Sequence, residues 1–207
     1  MDDDRDIKIS KPRFEALVDG IFAFAMTLLV TGLVIPHLSS KEAEAELVAK
    51  ISAMQSEFIS FLVSFFVLAS FWQIHHRQFH YVRLINSGVM RITLFILVFV
   101  VMMPFTTNVS GDYPHLQLAV GLFHLNMFCL GLLFLIKWRY IARNPDITAV
   151  EISGQDVSGG MMRSLIIPFI STLGFIFSFL TPSWSMTTYL LIIPCVAIVK
   201  RYKFSGN

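Results

Sequence analysis

Six stretches of this sequence are apolar and long enough, or nearly so, to cross a lipid bilayer, and that dictates most of what the chain can become. A span takes about 20 mainly apolar residues because the hydrocarbon core is about 30 Å thick. Inside it every backbone polar group must be bonded within the protein, which a helix does along its own length. The stretches cover approximately residues 16–36, 57–75, 88–106, 116–137, 164–181 and 184–200. The third, fifth and sixth are short, and each contains or abuts a proline. Thr181, Pro182 and Ser183 leave room only for a tight hairpin, so the last two spans should be antiparallel neighbours. Composition agrees: 55% of the chain is hydrophobic and 14% charged, where a soluble domain carries about a quarter charged residues. The expected fold is an all-α polytopic membrane protein with six transmembrane helices, forming one domain over residues 1–207.

The basic residues orient the bundle. Arg5, Lys8, Lys11 and Arg13 precede the first span, and Arg77, Arg83 and Arg91 lie between the second and third. Lys137, Arg139, Arg143 and Arg163 lie between the fourth and fifth, and Lys200, Arg201 and Lys203 follow the sixth. Only Lys41 and Lys50 fall on the other side. Cytoplasmic loops carry the excess of Lys and Arg, so both termini are expected in the cytoplasm. On the outer side, Ala43, Leu47, Val48 and Ile51 share one face of a short amphipathic helix within 39–56. The inner segment 144–160 is polar and glycine-containing and reads as a mobile loop. Met1 is followed by three aspartates rather than a basic run, so no signal peptide is expected. Cys129 and Cys195 read as buried free thiols. A net charge of +2 is too small to imply nucleic acid as a partner.

The first span is unusual. Gly20, Phe24, Thr27 and Thr31 fall within an arc of about 60° on a helical wheel. One stripe therefore carries a small residue, an aromatic ring and two hydroxyls. It suits a pore lining, since pores combine apolar constrictions with polar rings. It equally suits close packing on another helix. Asp19 lies near the inner end, about 100° off the stripe. A carboxylate there needs a partner. Arg13 is too far round the helix, so the partner is expected on another helix or subunit, with His75 or His76 as candidates.

A second cluster, Trp72, His75, His76, Arg77 and His80, ends the second span. Trp at that depth fits the interfacial aromatic belt. His76 and His80 have a spacing that metals use, but no carboxylate or cysteine follows at ligand spacing, so no metal is expected. His124 is the one histidine deep in a span, beside Asn126, and should bond a neighbouring helix or carbonyl. No phosphate loop, nucleophile elbow or zinc-protease helix is present, so neither an enzyme nor a cofactor is expected. A transporter would show related halves with matching broken helices, and the halves here are unlike. A proton-coupled carrier using Asp19 and the His75/His76 cluster remains the alternative to a channel, and a scaffold whose first helix only packs is a third reading.

The segment Arg13-Phe-Glu-Ala-Leu17-Val18-Asp19, followed by Gly20-Ile-Phe-Ala-Phe-Ala-Met-Thr27, resembles the signature of the transmembrane protein 175 family, the lysosomal potassium channels and their prokaryotic relatives. Phe71-Trp72-Gln-Ile-His75-His76 is similar to the family's Trp-x-x-His-His stretch. The chain departs from the family at Leu17 and Val18, where Phe and Ser are usual, and at Phe24, where an aliphatic residue is usual. The resemblance implies a homotetramer in the prokaryotic plasma membrane, with the first helix of each subunit lining a central pore. It implies permeation by potassium with modest preference over sodium and no carbonyl filter loop. By the same resemblance Phe24 forms the narrowest ring, Thr27 the hydroxyl ring above it, and Leu28 and Thr31 further lining. Arg13, Asp19, Trp72, His75 and His76 correspond to a polar network that buttresses the pore helix.

Overall fold

The computed structural model describes residues 10–34, 43–192 and 194–197. Six α-helices occur among them: α1 Lys11–Leu28, α2 Ala43–Ala53, α3 Gln55–His80, α4 Ser87–Asp112, α5 Gln117–Ala142 and α6 Gly154–Phe177. α1 continues as one 3-10 turn, Leu29–Gly32, and a 3-10 helix, Pro182–Leu191, follows α6. Five of these, α1 with its 3-10 turn and α3 to α6, are long and apolar enough to cross a membrane. The sixth expected span, 184–200, falls on the 3-10 helix and a helical stretch at 194–197, with residues 193 and 198–200 outside the described residues. The short outer helix forms as expected, starting at Ala43, with Glu46 and Lys50 paired one turn apart at 2.7 Å. Its Val48 and Ile51 are exposed.

The helices outrun their apolar runs at the end expected to face the cytoplasm. α3 extends through Gln73, His75, Arg77 and His80, and α6 begins ten residues before the expected span. Asn86 caps α4 by accepting from the Val89 amide at 2.9 Å, and Ser153 caps α6 by accepting from the Asp156 amide at 3.1 Å. The inner segment expected to be mobile is docked. Pro145–Ile147 forms a 3-10 turn, and Val82 and Thr148 make an antiparallel bridge. The Arg83 amide donates to the Ile147 carbonyl at 2.7 Å, and the Ala149 amide to the Tyr81 carbonyl at 2.8 Å. These bonds satisfy backbone groups that a free loop would leave to water.

Packing follows small residues. α5 and α6 approach at three glycines: a side chain on Gly131 would meet the Pro168 ring, one on Gly160 the Trp138 indole, and one on Gly174 the His124 imidazole. His124 is fully buried and bonds Tyr189 Oη through Nδ1 at 3.0 Å and Ser185 Oγ through Nε2 at 3.1 Å. It thus ties the C-terminal 3-10 helix to α5, as its depth in the span suggested. Cys129 and Cys195 are free but half-buried rather than buried. Asn108, in the sequence Asn108-Val109-Ser110, lies within α4 against Gly32.

Gly131→Leu should force α5 from α6, because the atoms it meets include the Pro168 backbone nitrogen at 3.1 Å and not only a movable side chain. Overpacking of this kind costs about 1–3 kcal/mol. The expected result is a lower thermal midpoint in detergent, and an unchanged midpoint would contradict the packing described.

Candidate functional site

The wheel stripe on α1 is turned away from its own subunit. Phe14, Val18, Phe22, Ala25 and Leu29 are buried, while Gly20, Phe24, Thr27 and Thr31 are exposed, Phe24 by 65%. Leu28 is half-buried at the edge of the stripe. The chain's helical period sets this division, because residues spaced by three and four share a face. The Thr27 hydroxyl donates to the Phe24 carbonyl at 2.8 Å and the Thr31 hydroxyl to the Leu28 carbonyl at 2.7 Å. Each hydroxyl hydrogen is therefore spent within the helix, and what the stripe presents outward is oxygen lone pairs. The switch to 3-10 geometry at Leu29 was not expected. Gly32 sits against the Asn108 side chain, so the end of α1 is pinned to α4 there.

The buried face of α1 is fastened to α3 at several points. Lys11 Nζ donates to the Phe79 carbonyl at 2.9 Å and the Val82 carbonyl at 2.7 Å. A cation at those last carbonyls also suits the negative end of the α3 dipole. Phe14 stacks on Phe79 with ring centres 6.0 Å apart, and Phe22 lies 6.1 Å from His75. Trp72 Nε1 donates to Asp19 Oδ1 at 2.9 Å, and the same indole stacks on His76 at 6.0 Å.

Asp19 thus finds its partner on another helix, as its position required, but that partner is Trp72 and neither of the expected histidines. An indole donates and cannot accept, so the contact holds a carboxylate without relaying a proton. His76 stays exposed beside Trp72. Arg13 is exposed, on the same side of the helix as the stripe, and has no ion-pair partner among the described residues. Among the described residues no group of three or more His, Cys, Asp or Glu could hold a metal ion.

His75 goes elsewhere. It is buried, and its Nδ1 lies 2.9 Å from Lys137 Nζ. Lys137, expected in an inner loop, is instead 0% exposed inside α5. Its Nζ sits 4.6 Å from the centre of the Phe134 ring and 5.3 Å from that of Phe79. A charge withdrawn from water is costly unless compensated, and ring faces supply part of that compensation. Sequence reasoning counted Lys137 only as a charge. The available signal was its register: Leu130, Phe134 and Ile141, at seven and three residues before it and four after, are all apolar. The proton-relay route drawn through Asp19 and the histidines is not assembled, since Asp19 is bonded to Trp72 and His75 to Lys137.

Comparison with known proteins agrees with this geometry. The sequence model of the family described as endosomal/lysosomal potassium channel TMEM175 matches residues 13–104, which run from Arg13 through α1 and α3 to Pro104 in α4. A potassium channel of Streptomyces collinus is 27% identical over 65% of this chain and 66% of its own length. One from Chamaesiphon minutus is 25% identical over 82% of this chain and 84% of its own. The mouse endosomal/lysosomal proton channel TMEM175 is 24% identical over 89% of this chain, which spans only 39% of that protein. In structure, the crystallised TMEM175 homologue of Chamaesiphon minutus superposes with a TM-score of 0.77 over 91% of this chain and 97% of that one, at 24% identity. The likeness to TMEM175 proteins is thus carried in sequence by the stretch from Arg13 to Pro104, which holds α1 and the Trp72-to-His76 stretch, and in fold by the Chamaesiphon homologue.

Proposed function

We propose that the chain is the subunit of a potassium-permeable cation channel of the prokaryotic plasma membrane. In this reading four copies assemble with α1 of each lining a central pore. The observation that carries it is the exposed stripe of α1, where Phe24, Thr27 and Thr31 face away from the subunit and the hydroxyls present lone pairs. A cation that has shed water is stabilised by such oxygens, and an apolar ring beneath them selects by dehydration and diameter. Phe24 forms that ring, Thr27 stands one turn above it, and Leu28 and Thr31 complete the lining. Potassium sheds water more readily than sodium, so the preference is modest. The bacterial relatives are named potassium channels and the vertebrate ones proton channels. Potassium is the better supported ion here because the Chamaesiphon match spans 84% of the relative and the mouse match 39%. Asp19 bonded to Trp72, with His76 stacked on the indole, braces the lining helix, and His75 supports it separately through Phe22.

Purified protein in liposomes tests the reading. Phe24→Ala should raise potassium flux several-fold by widening the ring. Flux at the unaltered level, with the oligomer intact on size exclusion, would remove α1 from the pore. Thr27→Val keeps the shape and loses the oxygen, so the potassium-to-sodium permeability ratio measured as a reversal potential should fall towards one.

Trp72→Phe keeps a ring against His76 and loses the bond to Asp19. At about 1 kcal/mol for such a bond, amide hydrogen exchange across α1 should quicken about fivefold while α5 exchanges as before. Equal acceleration in both helices would mean general destabilisation and not loss of the brace.

A further inference from the structure

A second candidate site lies at the opposite face of α3, at the basic end of the bundle. A cavity of about 340 Å³ opens between the end of α3, the end of α5 and the start of α6. Its walls carry Arg77 from α3 and Arg163 from α6, with His76 beside them. The floor includes Gln78, which is 4% exposed. Gln78 Nε2 donates to the Phe134 carbonyl at 3.0 Å, and because a carbonyl only accepts, the orientation of the amide is fixed. The remaining Oε1 is buried without a hydrogen-bond partner. An orphaned acceptor in a buried wall costs about 1–3 kcal/mol, and the side chain that carries it belongs to the cavity wall. Asp156 is also on the wall, where Ser153 Oγ bonds its Oδ2 at 2.9 Å.

The cavity is built into the packing. Gly160 brings α6 against Trp138, and Trp138 Nε1 donates to the Val157 carbonyl at 2.9 Å, which fixes the far wall. Gly159 is different: a side chain there would meet nothing within 4 Å, so its smallness leaves space and serves no packing contact.

We propose that this cavity binds the phosphate group of an anionic, hydroxyl-bearing lipid headgroup from the leaflet at the basic end of the bundle. Arg77 and Arg163 meet the phosphate, and Gln78 Oε1 accepts from a headgroup hydroxyl. Arginine's planar fork suits phosphate oxygens, and basic clefts between membrane helices at headgroup depth recognise anionic lipids. The site is separate from the α1 stripe, so it stands whether or not that stripe lines a pore.

The test is native mass spectrometry of the detergent-purified protein titrated with short-chain phosphatidylglycerol, and with phosphatidylcholine as the neutral comparison. Wild type should bind the anionic lipid in preference. The double variant Arg77→Gln, Arg163→Gln should weaken binding about tenfold. Gly159→Leu, which fills the cavity and keeps every charge, should weaken it at least severalfold. Arg91→Gln removes an exposed charge outside the cavity and should change little. Equal loss from Arg91→Gln, or wild-type affinity in Gly159→Leu, would overturn the site in favour of general surface attraction. Phosphatidylmethanol, which keeps the phosphate charge and lacks the hydroxyls, should bind more weakly, and equal affinity would overturn the role given to Gln78. Displacement of the lipid by glycerol phosphate at equal concentration would support the same site with a soluble phosphate as its source.

Discussion

The structure depends on holding α1 by one side only. A helix whose stripe is exposed has about half its circumference for attachment. That half is supplied by Phe14, Val18, Phe22, Ala25 and Leu29, all buried against α3 and α4. Apolar burial is non-directional, so these residues hold the helix close without fixing its rotation or height. The directional bonds do that. Lys11 fixes the N-terminal end of α1 through two carbonyls and Trp72 holds it near mid-length through Asp19, while the far end is set only by a steric fit, Gly32 against Asn108. A rotation that brought Phe24 inward would break the first two at once.

Behind that buried face lies an unusual polar element. His75 packs on Phe79 with ring centres 4.3 Å apart and faces Phe22, while Lys137 lies between Phe79 and Phe134. The support under α1 is therefore a layer of rings held around a lysine–histidine contact. Among the described residues no carboxylate faces this lysine, and His75 Nε2 is buried without a partner. Buried networks that are only partly satisfied are costly to disturb, because removing one member strands the other. An apolar replacement of Lys137 alone would leave both histidine nitrogens without partners directly beneath Phe22. The layer thus couples the shape of α5 to the seat of α1, although no residue of α5 is on the stripe.

Five of the six expected spans, their order and the stripe were legible because each is a local property. Twenty apolar residues are visible in a window, and a 100° step shows which residues share one side of α1. The expectation for Asp19 was right in kind, since a carboxylate at that depth needs a donor from another helix; the donor is Trp72, which the resemblance had grouped with it, and neither histidine. Trp72, His75 and His76 occupy nearly the same depth, and only the rotation of α3 decides among them. Lys137 was misread for the same reason: composition counts a charge near a helix end as inner-side charge, while burial depends on the register of α5. The docked segment after Asn144 was hidden because its partners, Tyr81 to Arg83, lie some 65 residues earlier in the chain. Likewise the close approach of Gly32 to Asn108 is a contact that no local pattern carries.

The glycines separate what serves the subunit from what does not. Gly32, Gly131, Gly160 and Gly174 each stand where a side chain would collide with Asn108, Pro168, Trp138 or His124, so their smallness is used inside this chain. Gly20 is different, for a side chain there would meet nothing within 4 Å. Glycine in a helix interior costs about 1 kcal/mol relative to alanine, and lipid returns none of it. A helix that accepts this cost at an exposed position gains only if another backbone or a narrow passage approaches there. Gly20 is on the same stripe as Phe24, Thr27 and Thr31, one turn below the ring. The cost at Gly20 and the outward hydroxyls above it therefore favour the same reading, in which the stripe is completed by other copies of α1. A lipid-facing α1 would explain the exposed phenyl ring equally well, and it would leave the glycine without a reason.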